Sequence, residues 1–460
     1  MYNNHKLTIG FAPTRRKMYD EKDALDNKRS IYKRIKELSD GDIEIIDIDW
    51  LNEAGLLMDH NDVKKVAMHF KQENIDALFM PHTNYGTEEV VGQLGKQMGV
   101  PFLLYGPRDA APPSDGVRIR QTDTQCGIFP SSKALQRYGV PFTYIENSPV
   151  NSDIFAKGFD MFIRAALVVK KTLGMRVGMM NIRPKPFLCV MHNEAELLEK
   201  FGIEIVPINA VDIIARMKEL IDKHPGDVDS VVDEITKRID ATKSSPDSLK
   251  KQAALRIVMI EAAESYDLEA IGSECWTLFP QSCGFVPCAA FGDIGACGLP
   301  IGCETDVLCA ITMAMLRAAS RGKGKPFCAD LTIRHPEDDN TELLWHCGPF
   351  PVEGAISVRK PAIVGDKGWW EMEHGNMTIS RLDSLNGVYS ILAGEGAAVD
   401  GPPTNGTYSW LKVDDWPKWE REIIYGPYIH HVAGMHGHWG DILEEASRYI
   451  GIKVDRLGKK

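Results

Sequence analysis

The 460-residue chain has no apolar run approaching the ~18 residues that a membrane span needs. It has no Cys-x-x-Cys pair among its 10 cysteines, no Gly-x-Ser-x-Gly elbow and no phosphate loop ending in Gly-Lys-Ser/Thr. No Gly-x-Gly-x-x-Gly follows its first strand-like segment. Each absence removes a class: structural zinc modules and dithiol redox centres, elbow-type serine hydrolases, and nucleotide-driven mechanisms. There is no surplus of positive charge either. The net charge of -11 opposes a nucleic-acid backbone as partner. The first residues, MYNNHKLTIGFAPTRR, lack the basic-then-apolar order of a secretion signal. Eight cysteines fall between Cys275 and Cys347 at irregular spacing beside Ala, Gly and Val. They read as buried free thiols in a reducing compartment, so a cytoplasmic location is expected.

What is present is an ordinary globular composition, 44% hydrophobic and 25% charged. It is spread over a length that calls for two or three domains. Short apolar strands alternate with helical patterns through the first 150 residues: KLTIGFAP, IEIIDI, ALFM and PFLLY. That alternation predicts a parallel sheet with helices on both faces. Gly116–Gly127 reads as a polar turn region and Asp153–Leu173 as a long helix. A second α/β unit begins near Arg176, and Asp227–Leu268 reads as a helical arm or helix pair. After about Lys360, Gly, Pro, Trp and Thr rise and strand-like segments follow one another, which predicts a β-barrel or sandwich. Ile423–Tyr428 also reads as a strand. The expected divisions are 1–172, 173–325 and 326–460.

Three residues sit where a core would prefer apolar ones. Glu304 precedes the apolar run Val307–Leu316, Asp330 follows Pro326-Phe327-Cys328-Ala329, and His346 follows Leu343-Leu344-Trp345. Charged groups in apolar settings need a partner. One divalent cation satisfies all three, and two carboxylates with imidazole favour Mn²⁺ or Mg²⁺ over zinc. Local sequence alone leaves open that Glu304 caps a helix and Asp330 ends a strand. Four histidines crowd YIHHVAGMHGHWGD, where one of His430 and His431 would point into the mouth of the β-rich domain. Trp276 either stacks its face on a sugar ring or is itself a core side chain. Arg15 and Arg16 end the first βα loop, and Arg118 and Arg120 are further cations suited to an anionic substituent.

These stretches, ECW…GLPIGCETDVLCAITM, FCADL followed by WHCG, and the paired histidines near the end, resemble the L-fucose isomerase / L-arabinose isomerase superfamily, especially its shorter fucose-isomerase-like members. The resemblance implies two flavodoxin-like α/β domains, a C-terminal β-barrel-like domain and a homo-oligomer: a trimer, tetramer or hexamer. It implies Glu304 and Asp330 as the proton-transfer pair. Glu304, Asp330, His346 and His431 would hold Mn²⁺, with Mg²⁺ or Co²⁺ as alternatives. Trp276, Arg15, Arg16 and His430 would contact a sugar. The implied reaction interconverts an aldose and its 2-ketose through a cis-enediol, on an L-fucose/L-arabinose-type sugar or a modified hexose such as sulfoquinovose. A sugar epimerase or lyase on the same scaffold, and a non-catalytic sugar binder, are the rival expectations.

Overall fold

The computed structural model describes residues 5–39, 41–111, 114–116, 120–356 and 360–458. The chain divides into two compact units, about 4–170 and 171–460. In the first, strands β1 (Leu7–Phe11), β2 (Ile43–Ile46), β3 (Ala77–Pro81), β4 (Phe102–Tyr105) and β5 (Thr143–Tyr144) form one parallel sheet in the order β2-β1-β3-β4-β5. This is the flavodoxin order. Alternation along each strand divides the core into two layers. Leu7, Ile9, Phe11, Phe79 and Leu103 face the helices Glu21–Leu38 and Asp153–Thr172. Leu78, Met80, Phe102 and Leu104 face His60–Gln72, Glu88–Met98 and Thr124–Tyr138. The last of these helices begins inside the segment expected as a turn, Gly116–Gly127. Gly127 permits this, because a Cβ there would lie 1.6 Å from the Tyr85 carbonyl oxygen. Arg118 falls outside the described residues.

The second unit starts with β6 (Arg176–Met180) and β7 (Glu204–Ile208), then a short strand β8 (Asp240–Lys243), β9 (Ala270–Ser273) and β10 (Ile301–Cys303). β6, β7, β9 and β10 form a parallel sheet in the order β10-β9-β6-β7. The expected arm is two helices, Pro225–Arg238 and Pro246–Tyr266, divided by β8.

The remaining strands are β11 (Phe327–His335), β12 (Asp338–His346), β13 (Ala362–Val364), β14 (Lys367–Glu371), β15 (Gly375–Leu385), β16 (Val388–Val399), β17 (Thr407–Lys412), β18 (His431–His436) and β19 (Lys453–Leu457). Six of them close a ring, β16-β15-β18-β11-β12-β17 and back to β16, all antiparallel. Closure removes the sheet edges that long strands otherwise expose. The β15–β16 hairpin turns on Asn386-Gly387, both at positive φ (52° and 78°), as a two-residue turn between twisted strands requires.

Ile423–Tyr428 is not a strand. The chain is helical over Trp416–Tyr425. Asp415 caps it by accepting from the Lys418 N–H, Pro417 lies in its first turn, and Trp416, Trp419 and Ile423 are its buried face. Those start signals outweigh the local β-propensity of Ile-Ile-Tyr.

The helix Val307–Ala319 is buried at every position and packs on β9, β15 and β18. Each of its large apolar side chains contributes on the order of 1.5–3 kcal/mol by leaving water. It also fixes what precedes it, the Glu304–Asp306 turn, between the second sheet and the barrel.

Candidate metal and sugar site

Glu304 and Thr305 both adopt left-handed backbone, each with φ 59°. Neither is glycine, so the turn is strained and held by its surroundings. The Thr305 N–H donates to the Ser273 carbonyl and the Asp306 N–H to that of Cys303, both at 3.1 Å. Asp306 caps the buried helix by accepting from the Cys309 N–H at 2.9 Å. The turn leaves Glu304 only 6% exposed at the carboxyl end of β10, where ligands bind in parallel sheets.

The other three residues come from the barrel. Asp330 on β11 stands directly opposite Trp345 on β12 and His431 on β18, so Asp330 and His431 share a face. His346 ends β12. The His431 Nε2 lies 2.9 Å from Glu304 Oε2 and 3.3 Å from Asp330 Oδ1. Four atoms have no hydrogen-bond partner in acceptable geometry: Glu304 Oε2, Asp330 Oδ1, His346 Nε2 and His431 Nε2. Glu304, His346 and His431 each bring a ligand atom within 4.8 Å of the others, and so do Asp330, His430 and His431. The two triads share His431. Glu304, Asp330, His346 and His430 all line one cavity of about 590 Å³, with Phe187, Trp276 and Lys367.

Behind the cavity is a buried relay. The fully buried Arg381 ion-pairs with Asp306 and donates to Asp383 at 3.0 Å. Asp306 Oδ2 accepts from His431 Nδ1 at 2.8 Å. A carboxylate only accepts, so Nδ1 carries a hydrogen, and Nε2 is the nitrogen left to ligate a cation once its own proton has gone. His346 is held differently. Its Nδ1 meets the Cys347 N–H at 2.9 Å and the Cys347 sulfur at 3.3 Å.

The electrostatics are those of a site short of positive charge. Burial raises the Glu304 pKa, but His431, the charge of His346 and the Trp276 N–H together hold it below the usual carboxylate value. Burial likewise opposes ionisation of Asp306, and Arg381 and His431 overcome it, leaving the carboxyl well below its ordinary range. Burial lowers the pKa of His431, yet Asp306 and Glu304 push it well above the ordinary imidazole value. His346, against the same burial, is pushed up to about 10 by Cys347 and Asp330. Without a cation, protons on the imidazoles balance the carboxylates.

Trp276 is not a core side chain. It is 48% exposed, and its indole N–H donates to Glu304 Oε1 at 2.8 Å. Glu274 sets its loop by accepting from the Trp276, Thr277 and Leu278 N–H groups and the Thr277 hydroxyl. Phe187 packs on it with ring centroids 4.9 Å apart and also stacks on His430. Arg15 and Arg16 are not among the cavity's lining residues. Arg15 pairs with Glu21. Arg16 pairs with Glu88 at 3.1 Å and lies over the Tyr85 ring at 4.2 Å.

Sequence reasoning missed Asp306, Arg381, Glu274 and Phe187. Asp306 carried a signal, since it sits two residues after Glu304 where the buried helix needs a cap. Arg381 carried a weaker one, a lone cation inside the apolar strand pattern MTISRL.

Comparison with known proteins places the chain among sugar isomerases. Residues 10–173 match the family model for the N-terminal domain of fucose/sulfoquinovose isomerase, and residues 370–458 that for the C-terminal domain of L-fucose isomerase. Proteins named sulfoquinovose isomerase from Priestia aryabhattai and Priestia megaterium are 22% identical over 397 residues, 84% of this chain and 86% of each relative. One of the same name from Alkalicoccus urumqiensis is 22% identical over 346 residues, 72% of this chain and 74% of its own.

Proposed function

Because the chain belongs to the L-fucose/L-arabinose isomerase superfamily and is an aldose–ketose isomerase, we propose that it is a metal-dependent one, working through a cis-enediol with Glu304 and Asp330 as its proton-transfer pair. The observation that carries this reading is the set of four buried atoms without well-formed hydrogen bonds, Glu304 Oε2, Asp330 Oδ1 and His346 Nε2 from the lining of one cavity and His431 Nε2 beside them. Such atoms occur elsewhere in the chain, but here carboxylate and imidazole atoms of this kind cluster within reach of one ion. Two carboxylate oxygens and two imidazole nitrogens suit a divalent cation of the Mn²⁺ type, with Mg²⁺ and Co²⁺ as alternatives.

Such an ion, when bound, supplies a Lewis acid that orients the sugar oxygens and draws off negative charge developing on them. The chain's own residues do the rest. One carboxylate of the Glu304–Asp330 pair takes the proton from C2 and the other returns one at C1. Trp276 holds a Glu304 oxygen in place, so the carboxylate does not rotate away from its proton. His431 is kept in the ligating tautomer by Asp306, and Asp306 is kept ionised by Arg381. Phe187, Trp276 and Trp345 supply apolar walls that exclude water and suit the C–H faces of a sugar ring.

Within this class the reading we favour is a hexose bearing an anionic group. Two features support it: the similarity to proteins named sulfoquinovose isomerase, and Lys367, a cation in the wall of the same cavity. The protein is further read as a homo-oligomer, which sedimentation would test. The test of function is an aldose panel, sulfoquinovose, L-fucose and L-arabinose, incubated with Mn²⁺ in D₂O and followed by NMR. The expected product is the 2-ketose with deuterium entering at the former aldehyde carbon. A product epimerised without ketose formation, or cleaved, would replace the reading with an epimerase or lyase.

A further inference from the structure

A second cavity, of about 530 Å³, lies beyond the carboxyl ends of β6 and β10 and is walled by the segment that follows β6. Its lining includes Arg183, Lys185, Met191, His192, Glu194 and Thr305. None of these lines the cavity that holds Glu304 and Asp330. The sheet order makes this a natural ligand position. The chain runs outward from β6 to β7, then returns to β9 and continues the other way to β10. Crevices at such reversals are where open parallel sheets bind small molecules.

The left-handed pair Glu304–Thr305 divides its side chains between the two cavities, Glu304 lining one and Thr305 the other. Thr305 is 1% exposed, and its hydroxyl has no hydrogen-bond partner. A buried hydroxyl left unpaired is destabilising, and a ligand group that paired it would recover the loss. The His192 imidazole is largely buried as well. It hydrogen-bonds the Val190 backbone, while its Nε2 is buried and unpartnered. Burial favours the neutral ring, against the pull of Glu194 and of that bond, while the bond itself holds the hydrogen on Nδ1, so Nε2 faces a donor such as a ligand hydroxyl. Two cations complete the site. Arg183 donates to the carbonyls of Pro184 and Lys185. Neither Arg183 nor Lys185 has a carboxylate partner among the described residues, and Glu194 is the one acid of the lining.

We propose that this cavity is a second binding site, separate from the catalytic one, for a small hydroxylated anion such as a phosphorylated polyol or a sugar acid. Arg183 and Lys185 take the anionic end, and the His192 Nε2 and the Thr305 hydroxyl take ligand hydroxyls. Met191 offers an apolar face. The proposal stands apart from the isomerase reading, because it uses no residue of the proton-transfer pair.

The test is calorimetric titration of the full, Mn²⁺-loaded chain with glycerol 3-phosphate, D-glycerate, glycerol and inorganic phosphate. The expected result is binding of glycerol 3-phosphate or D-glycerate, whichever is tighter naming the anion as phosphate ester or carboxylate, with glycerol weaker by tenfold or more. Affinity should fall at least tenfold in the Arg183→Gln/Lys185→Gln double variant and at least threefold in Thr305→Val. It should be unchanged in Trp276→Ala. Circular dichroism would establish that each variant is folded. The proposal is overturned by no binding in the wild type, by affinity for inorganic phosphate equal to that for the organic anions, by unchanged affinity in the double variant, or by loss of binding in Trp276→Ala, which would place the anion in the catalytic cavity.

Discussion

The chain contains two parallel sheets, and the carboxyl ends of their strands are finished in opposite ways. At the first, most polar groups are turned onto one another, although His82 Nε2 and the Ser148 hydroxyl are buried without a partner. Asn84 Oδ1 accepts from the N–H groups of Arg16 and Gly86, the Thr83 hydroxyl donates to the Thr14 carbonyl, and Arg16 pairs with Glu88 while lying over Tyr85. At the second, beside the barrel, carboxylate and imidazole atoms of Glu304, Asp330, His346 and His431 are gathered against one another without well-formed hydrogen bonds. The same architecture therefore gives one crevice organised mainly by its own contacts and another that wants an occupant. Function is to be read from unsatisfied chemistry rather than from the fold.

The sharpest way to break the comparison is to remove the gathered acids. Glu304→Gln and Asp330→Asn should each lower kcat by roughly 10³-fold or more, the scale of lost acid–base catalysis, while thermal unfolding shifts little. A variant with near-normal kcat would put the proton-transfer pair elsewhere.

The next effect belongs to the first sheet. His82 is fully buried, with its Nδ1 against the Tyr85 carbonyl at 2.7 Å, and burial lowers its pKa from 6.5 to about 4. Above pH 6.5 neither the folded nor the unfolded chain protonates it. As pH falls from 6.5 towards 4, the unfolded chain takes up a proton that the folded unit refuses, so stability is progressively lost, by about 3 kcal/mol in all. Denaturant titrations at pH 7.5 and 4.5 should show this fall in the wild type and a smaller one in His82→Gln. Equal slopes would mean that His82 is not held neutral.

A smaller effect tests the relay. Asp306→Asn should weaken Mn²⁺ binding by roughly 10–100-fold, as is usual when the carboxylate behind a ligating histidine is lost. His346→Gln should weaken it less than His431→Gln, because the His346 Nδ1 meets a backbone N–H rather than a carboxylate. Competition against a metal-indicator dye would rank the three, and the reverse order for the two histidines would exchange their roles. The least effect is expected from Asn84→Ala, which should cost the first unit about 1–3 kcal/mol by unpairing backbone N–H groups and leave metal affinity unchanged.

How much of this was legible in the sequence follows from the range of the interactions. The strands ALFM and PFLLY and the helices between them are set by local periodicity, and they could be read directly. Glu304 and Asp330 stood out because each is a charge inside an apolar run. The helix at Trp416–Tyr425 was misread because Ile423-Ile424-Tyr425 favours strand locally, although Asp415 and Pro417 announced a helix start. Ring closure by β16 against β17, the meeting of Asp306 with Arg381 75 positions away, and the placing of Asp330 opposite His431 depend on long-range register. No local pattern encodes them.

In the proposed function, Glu304, Asp330, His346 and His431 grip one divalent ion without which the isomerase does not turn over. The direct measurement is metal content and activity together, on protein stripped with EDTA and then titrated with Mn²⁺. The stripped protein should form no ketose, recovery should saturate at one ion per chain, and Asp330→Asn should show no such recovery. Full turnover by metal-free protein, or an unchanged stoichiometry and affinity in that variant, would contradict it.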